Sequence, residues 1–156
     1  MKGAATMPQS LVRLSVHVIF STKHRRKAIT PEIREELIRY VGGLLVDLAC
    51  PPIEINCVDD HLHILSGLSK TLALAEVVEK VKARSSKWIK TKGPQLAGFY
   101  WQGGYAAFSV SESMVAAVRE YIRDQPEHHR RRSFEEELRE FLRLHRIEFD
   151  ERYLWD

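Results

Sequence analysis

Two hydrophobic periods succeed one another along this sequence in an order that few folds accommodate. Between Leu11 and Thr22, Leu14, Val16, Val18 and Phe20 alternate with Ser15, His17, Ile19 and Ser21. That is the period of a strand, and it predicts that the first set faces helices and the second set the other side of a sheet. Thr30-Pro31 then reads as a helix start, with Thr as N-cap and Pro at the first helical position. Ile33, Leu37, Val41, Leu44, Leu45 and Leu48 form its apolar stripe, and Pro51-Pro52 are expected to stop it. Ile53, Ile55 and Cys57 alternate with Glu54 and Asn56 as a second strand, Asp59-Asp60 make a turn, and His61 to Leu68 form a third. A second helix is predicted from Leu72 to Lys90, with Leu74, Val77, Val78, Val81, Ser85, Trp88 and Ile89 inward. Phe99–Gln102 and Tyr105–Ser111 read as a fourth strand bent at Gly103-Gly104. A third helix is expected from Ser113 to Gln125, where Pro126 disfavours continuation, and a fourth opens at the capping box of Ser133 and Glu136. The order is strand, helix, strand, strand, helix, strand, then helices. It predicts an α+β, ferredoxin-like (RRM-like) antiparallel sheet with helices on one face and additional C-terminal helices. The second face is expected to stay open for a ligand.

At 156 residues and 44% hydrophobic, the chain suits one compact domain, read here as residues 11–156 behind a flexible arm at 1–10. The charge balance, 24 − 21 = +3, is too small to identify a nucleic-acid partner by itself, so the placement of the charges matters. Cys50 and Cys57 give neither a disulfide framework nor a paired zinc spacing, and read as small apolar residues of a reduced, cytoplasmic protein. The apolar run from Leu11 to Phe20 is interrupted by Arg13 and His17. It is too short to span a membrane and lacks a signal-peptide cleavage site, so no membrane partner is expected.

Three features carry candidate chemistry. His61-Leu62-His63 lies on a predicted strand, where side chains two apart share a face and Cα atoms sit about 6.6 Å apart. Two imidazoles so placed can converge on one divalent ion, or they can be two unrelated histidines. Tyr121 and Gln125 are four apart on a predicted helix and therefore neighbours. Val115, Val118 and Ile122 make that helix's stripe, with Tyr121 at its edge. The tyrosine is thus a half-buried ring with a wetted hydroxyl or a reactive phenol. Basic residues form three clusters: Lys23, His24, Arg25, Arg26 and Lys27; the Lys80–Lys90 helix including Lys87; and His128 to Arg132 including Arg130 and Arg131. Interleaved His24, Trp88, Trp101, Tyr105 and His128 suit stacking on unpaired bases.

Val16-His17-Val18-Ile19-Phe20-Ser21-Thr22-Lys23-His24-Arg25 resembles the opening strand of the HUH-type, single-tyrosine transposases of the smallest prokaryotic insertion sequences, the IS200/IS605-like family. Asp60-His61-Leu62-His63-Ile64-Leu65 resembles their metal-binding strand, and Trp101-Gln102-Gly103-Gly104-Tyr105 with Phe108-Ser109-Val110-Ser111 their last strand. Tyr121-Ile122-Arg123-Asp124-Gln125, Glu127-His128-His129 and Ser133-Phe134 resemble the catalytic helix and its continuation. The resemblance runs in one register from about Val12 onward. It implies that Tyr121 is the nucleophile, that His61, His63 and Gln125 hold Mg²⁺ or Mn²⁺, and that the substrate is single-stranded DNA with hairpins. It also implies a homodimer whose active sites are shared between subunits. The expected reaction is cleavage and rejoining through a 5′-phosphotyrosine, which retains the phosphodiester energy and agrees with the lack of a P-loop.

Other readings use the same residues. A replication-initiator nickase shares the His-x-His and tyrosine chemistry, and the length with the Trp101–Ser111 segment favours a transposase over it. A domesticated hairpin-binding protein would keep the site without mobilising DNA. An RNA-binding sheet lacks its aromatic strand signature here.

Overall fold

The computed structural model describes residues 8–152 and residue 154. The arm expected at 1–10 falls mostly outside them, and residues 8–14 are exposed and without regular structure. The strands are β1 (Ser15–Ser21), β2 (Pro52–Cys57), β3 (His61–Gly67) and β4 (Ala106–Val110). The helices are α1 (Pro31–Asp47), α2 (Leu74–Lys90), α3 (Val115–Arg123), α4 (Gln125–Arg131) and α5 (Phe134–Leu144). The sheet order is β2-β3-β1-β4, and every pairing is antiparallel. This is the ferredoxin-like order expected from the pattern of periods.

The alternation in β1 sorts its side chains as expected. Val16, Val18 and Phe20 pack with Leu62 and Ile64 of β3 against the stripes of α1 and α2. Leu14, expected to join them, lies before the strand and is half exposed. Ile19 points to the opposite face, where it meets Phe108, Phe134, Leu138 and Leu142 in a second, smaller cluster. That face is not open. α3 runs across β2 and β3, and α5 docks over Ile19 and Phe108. The sheet is a middle layer, because the C-terminal helices carry enough apolar side chains to bury its second side.

Several boundaries differ from the sequence reading for local reasons. α1 is ended by a Schellman motif, not by prolines. Cys50 N–H donates to Leu45 O at 2.8 Å, Ala49 N–H donates to Val46 O at 3.0 Å, and Ala49 takes the left-handed φ of 57°. Pro51 and Pro52 only follow it. Thr30 is the N-cap of α1, yet its hydroxyl makes no capping bond. Phe99–Gln102 is not a strand: Trp101 makes one isolated bridge to Thr22, and its indole Nε1–H donates to Ser85 Oγ at 2.9 Å. The helix expected at 113–125 breaks at Asp124, and Pro126 sits in the first turn of α4 instead of closing α3. Ser133 caps α5 as expected, its Oγ accepting from Glu136 N–H at 3.2 Å.

β4 is an edge strand, and only half of the large aromatic side chains in it and just before it reach the surface. Trp101 and Phe108 are buried, while Tyr100 and Tyr105 are exposed. Cys50 and Cys57 are free thiols in the interior. Burial pushes the Cys57 thiol up to about 12, against the opposing pull of nearby Arg34. Among the described residues, no helix is long and apolar enough to cross a membrane.

Candidate active site

His61 and His63 leave β3 on the face covered by α3 and α5, and both are essentially fully buried. Each ring is oriented through its outer nitrogen. His61 Nδ1 lies 2.7 Å from Asp60 Oδ1, and His63 Nδ1 lies 2.8 Å from His17 Nε2 on the neighbouring strand. Both Nε2 atoms therefore turn inward, toward Glu137 of α5. Glu137 Oε1 is 2.9 Å from His63 Nε2 and 3.5 Å from His61 Nε2. Holding one nitrogen of a ring so that the other presents a lone pair is how proteins prepare imidazoles as metal ligands.

Tyr121 and Gln125 arrive at the same carboxylate from α3 and α4. The Tyr121 hydroxyl donates to Glu137 Oε2 at 2.5 Å, and Gln125 Nε2–H donates to that oxygen at 3.3 Å. Gln125 Oε1 lies 3.3 Å from His61 Nε2. The Tyr121 ring stacks on His128 at 4.5 Å and stands 6.1 Å from the His63 ring. Asn56 of β2 pins the end of α3, its Nδ2 donating to the carbonyls of Ile122 at 3.0 Å and Arg123 at 3.1 Å. Those carbonyls lie in the last turn, where donors within the helix run short, so this contact helps to hold the end of α3 and with it Tyr121.

The charges follow from these contacts. Burial pushes the Glu137 carboxyl up, but the hydrogen bonds from His61 and His63 outweigh it and hold Glu137 well below the usual carboxylate range. Burial also works against a charged His61, yet Asp60 and Glu137 together raise it to about 9. His63 moves the other way: burial dominates, and its second nitrogen faces His17 rather than a carboxylate. The Tyr121 phenol is pushed up, first by burial and then by the charge and hydrogen bond of Glu137. The pocket by itself keeps that phenol protonated.

The residues anticipated as site members thus converge: His61, His63, Tyr121 and Gln125 meet within one chain. Tyr121 and Gln125 do so from separate helices, not from one continuous face. Glu137, at the centre, was not anticipated. Its signal is a carboxylate within an apolar stripe: Phe134, Leu138 and Leu142 are buried beside it, and Glu137 is only 4% exposed. Asp60 and His17, which orient the two imidazoles, were likewise not singled out. His61, His63 and Glu137 offer ligand atoms all within 4.8 Å of one another, as do Asp60, His61 and His129. The donor set of imidazole nitrogens and carboxylate oxygen fits a divalent transition-type ion.

The basic residues divide. His24, Arg25, Lys27, His129, Arg130, Arg131 and Arg132 line one cleft of about 490 Å³ that also touches Asp60 and Phe134. Arg25 is paired there with Glu135. Lys23, His24 and Arg26 line a neighbouring groove with Tyr100, whose ring lies beneath the ammonium groups of Lys23 and Lys90. His128 packs on Tyr121 itself. Lys87 is exposed on α2, behind the sheet, so the sheet separates it from the imidazole pair.

The chain is 25% identical over 118 residues to the ISDra2 transposase TnpA of Deinococcus radiodurans, covering 72% of this chain and 84% of that protein. It is 28% identical over 120 residues to the transposase for insertion sequence element IS200 of Salmonella typhimurium, covering 71% and 76%. A crystal structure of a protein from Deinococcus radiodurans superposes with a TM-score of 0.61 at 21% identity, covering 78% of this chain and 98% of that one. A REP-associated tyrosine transposase bound to a REP hairpin superposes with a TM-score of 0.57 at 11% identity, covering 81% and 74%. These two structures share the fold. The family model described as "Transposase IS200 like" matches residues 10–125, well over half of the sequence, and the chain belongs to that family of IS200-like transposases.

Proposed function

We propose that this transposase cleaves and rejoins single-stranded DNA through a 5′-phosphotyrosine at Tyr121. The observation that carries the reading is the meeting of the Tyr121 hydroxyl with the His61–His63 pair around one buried carboxylate. His61 and His63 are the proposed ligands of a divalent ion, Mg²⁺ or Mn²⁺, with Gln125 Oε1 beside them as the third. When bound, such an ion polarises a scissile phosphate and offsets charge on the departing oxygen. Tyr121 Oη would form the new bond to phosphorus as the bond from phosphorus to O3′ breaks. The phenolic proton is lost, and the departing O3′ takes up a proton to become a free hydroxyl. Reverse attack by another 3′-hydroxyl restores a phosphodiester and the tyrosine. His128 keeps the Tyr121 ring in place by stacking, and Asn56 holds the helix that carries it.

The cleft between the Lys23–Lys27 turn and α4 suits the phosphates of a single strand next to the site, because it gathers cations that single-stranded DNA needs. We propose that Lys23, His24, Arg25, Arg26, His128, Arg130 and Arg131 serve DNA binding. Lys87 has the weakest support, being on the far side of the sheet. Hairpin recognition is carried over from the REP-associated neighbour, which was solved with a hairpin. We further propose a dimer formed through the β4 edge, where Tyr100 and Tyr105 are exposed. The expected sharing of sites between subunits competes with a second reading, since Tyr121 already reaches Glu137 of its own chain.

The test is incubation with single-stranded DNA from the flanks of the gene, with Mg²⁺ or Mn²⁺. A covalent protein–DNA band on a denaturing gel is expected for the wild type and is expected to vanish with Tyr121→Phe or with EDTA. An adduct that persists in Tyr121→Phe removes this tyrosine from the mechanism; one that persists in EDTA removes the metal.

A further inference from the structure

We propose that Glu137 is itself a ligand of the divalent ion, joining His61, His63 and Gln125, so that the protein supplies two imidazoles, an amide oxygen and a carboxylate. The inference rests on the reading of His61 and His63 as metal ligands, and it adds a residue that lies beyond the stretch matched by the family model, residues 10–125. The geometry points to Glu137 in three ways.

Glu137, His61 and His63 offer ligand atoms all within 4.8 Å of one another, and Glu137 Oε1 lies 2.9 Å from His63 Nε2 and 3.5 Å from His61 Nε2, close enough to share one ion. The outer nitrogens of the two rings are already engaged by Asp60 and His17, so the atoms facing Glu137 are the ones left to ligate. His61 Nδ1 faces the carboxylate of Asp60, and its Nε2 faces two oxygens, Gln125 Oε1 at 3.3 Å and Glu137 Oε1 at 3.5 Å. A divalent ion held between them would take the place of the proton that Nε2 presents to these oxygens when the ring is charged. Finally, Glu137 is only 4% exposed and sits on the apolar face of α5, between Phe134 and Leu138. A carboxylate is expensive to bury there unless its oxygens are met; Tyr121 and Gln125 meet Oε2, and Oε1 is left facing the two imidazoles.

The competing group of Asp60, His61 and His129 uses only one imidazole of the strand pair, and it would have to ligate through the His61 nitrogen that now holds Asp60. Glu137 is the carboxylate that both histidines address. Its second oxygen, Oε2, receives the Tyr121 hydroxyl and the Gln125 amide, so one side chain would link the ion to the nucleophile. Two nitrogens and a carboxylate oxygen suit Mn²⁺ better than Mg²⁺, which prefers oxygen ligands and retained water.

The experiment is Mn²⁺ binding to the full chain without DNA, followed by electron paramagnetic resonance of the free ion, with Co²⁺ absorption as a report on the ligand set. Wild type, Glu137→Gln and Asp60→Asn are compared. Glu137→Gln is expected to weaken Mn²⁺ binding at least about 100-fold, beyond the range for outer-shell changes, and to shift the Co²⁺ bands. Asp60→Asn, which touches only the far nitrogen of His61, should weaken binding less and leave the Co²⁺ bands in place. Wild-type affinity and an unchanged Co²⁺ spectrum in Glu137→Gln overturn the proposal while leaving the histidine pair as the metal site. Absence of Mn²⁺ binding by the wild type, or binding that His61→Ala leaves unchanged, overturns the metal reading of the whole site and this inference with it. Should Glu137→Gln lose the far-ultraviolet circular dichroism of the wild type, Glu137→Asp replaces it. The shortened carboxylate is expected to shift the Co²⁺ bands, and an unshifted spectrum with wild-type affinity overturns the proposal.

Discussion

Replacing Leu138 by alanine should loosen α5 while leaving the main body of the protein folded. Leu138 is 3% exposed and packs with Ile19, Phe108, Phe134 and Leu142, a cluster separated by the sheet from the larger core that α1 and α2 cover. The substitution deletes three buried carbon atoms. At about 0.8 kcal/mol for each methylene-sized group, the transfer loss is roughly 2.4 kcal/mol. A residual cavity adds to this, giving about 3 kcal/mol, inside the 2–5 kcal/mol range for such truncations. Because every 1.4 kcal/mol is a factor of ten, local opening of α5 should become about 100-fold more frequent. Hydrogen exchange read by mass spectrometry should show this as faster exchange of α5 amides at unchanged exchange of β1, α1 and α2. A matched Leu37→Ala substitution in the larger core should instead lower the global stability. If Leu138→Ala speeds exchange equally in α5 and in β1, the two clusters are one cooperative unit and the reasoning fails. Since Glu137 precedes Leu138, the same variant should also lose affinity for Mn²⁺ if α5 has to be docked for the site to form.

Three further outcomes are expected. Ala49→Gly should raise stability by about 1 kcal/mol in urea unfolding, because Ala49 holds a left-handed φ of 57° that glycine adopts without a Cβ clash; an unchanged or lowered midpoint would remove strain at this cap from the account. Affinity for a single-stranded hairpin should fall steeply as salt rises, with a log–log slope near −0.7 per phosphate neutralised, and Arg130→Ala with Arg131→Ala should flatten that slope whereas Lys87→Ala should not. Tyr121→Phe mixed with His61→Ala should regain cleavage if sites are shared between exchanging subunits; persistent inactivity with exchange demonstrated by differently tagged copies assigns the site to a single chain.

The strands and the two shared-face histidines were legible because they depend on neighbours two residues apart. Once Leu62 and Ile64 are committed to the core, His61 and His63 must turn the other way, and the structure has them there. The family was legible through the resemblance of several short segments in one register, and the helix caps at Thr30-Pro31 and Ser133 mark real starts because capping is a local matter. What periodicity could not give was the meeting of groups distant along the chain. Glu137 reaches His63 across 74 residues and Tyr121 across 16, contacts that exist only when α5 folds back over the sheet. The same docking closed the face expected to be open. It also made a break at Asp124 compatible with convergence, since Tyr121 and Gln125 are aimed by Asn56 and Glu137 rather than by one helix. Lys87 shows the converse: the sequence offers it as a cation like Arg130, and only the layering of α2 behind the sheet separates the two. Local order was written in the spacing of apolar and capping residues, whereas the composition of the site was decided by which buried surfaces the helices found to cover.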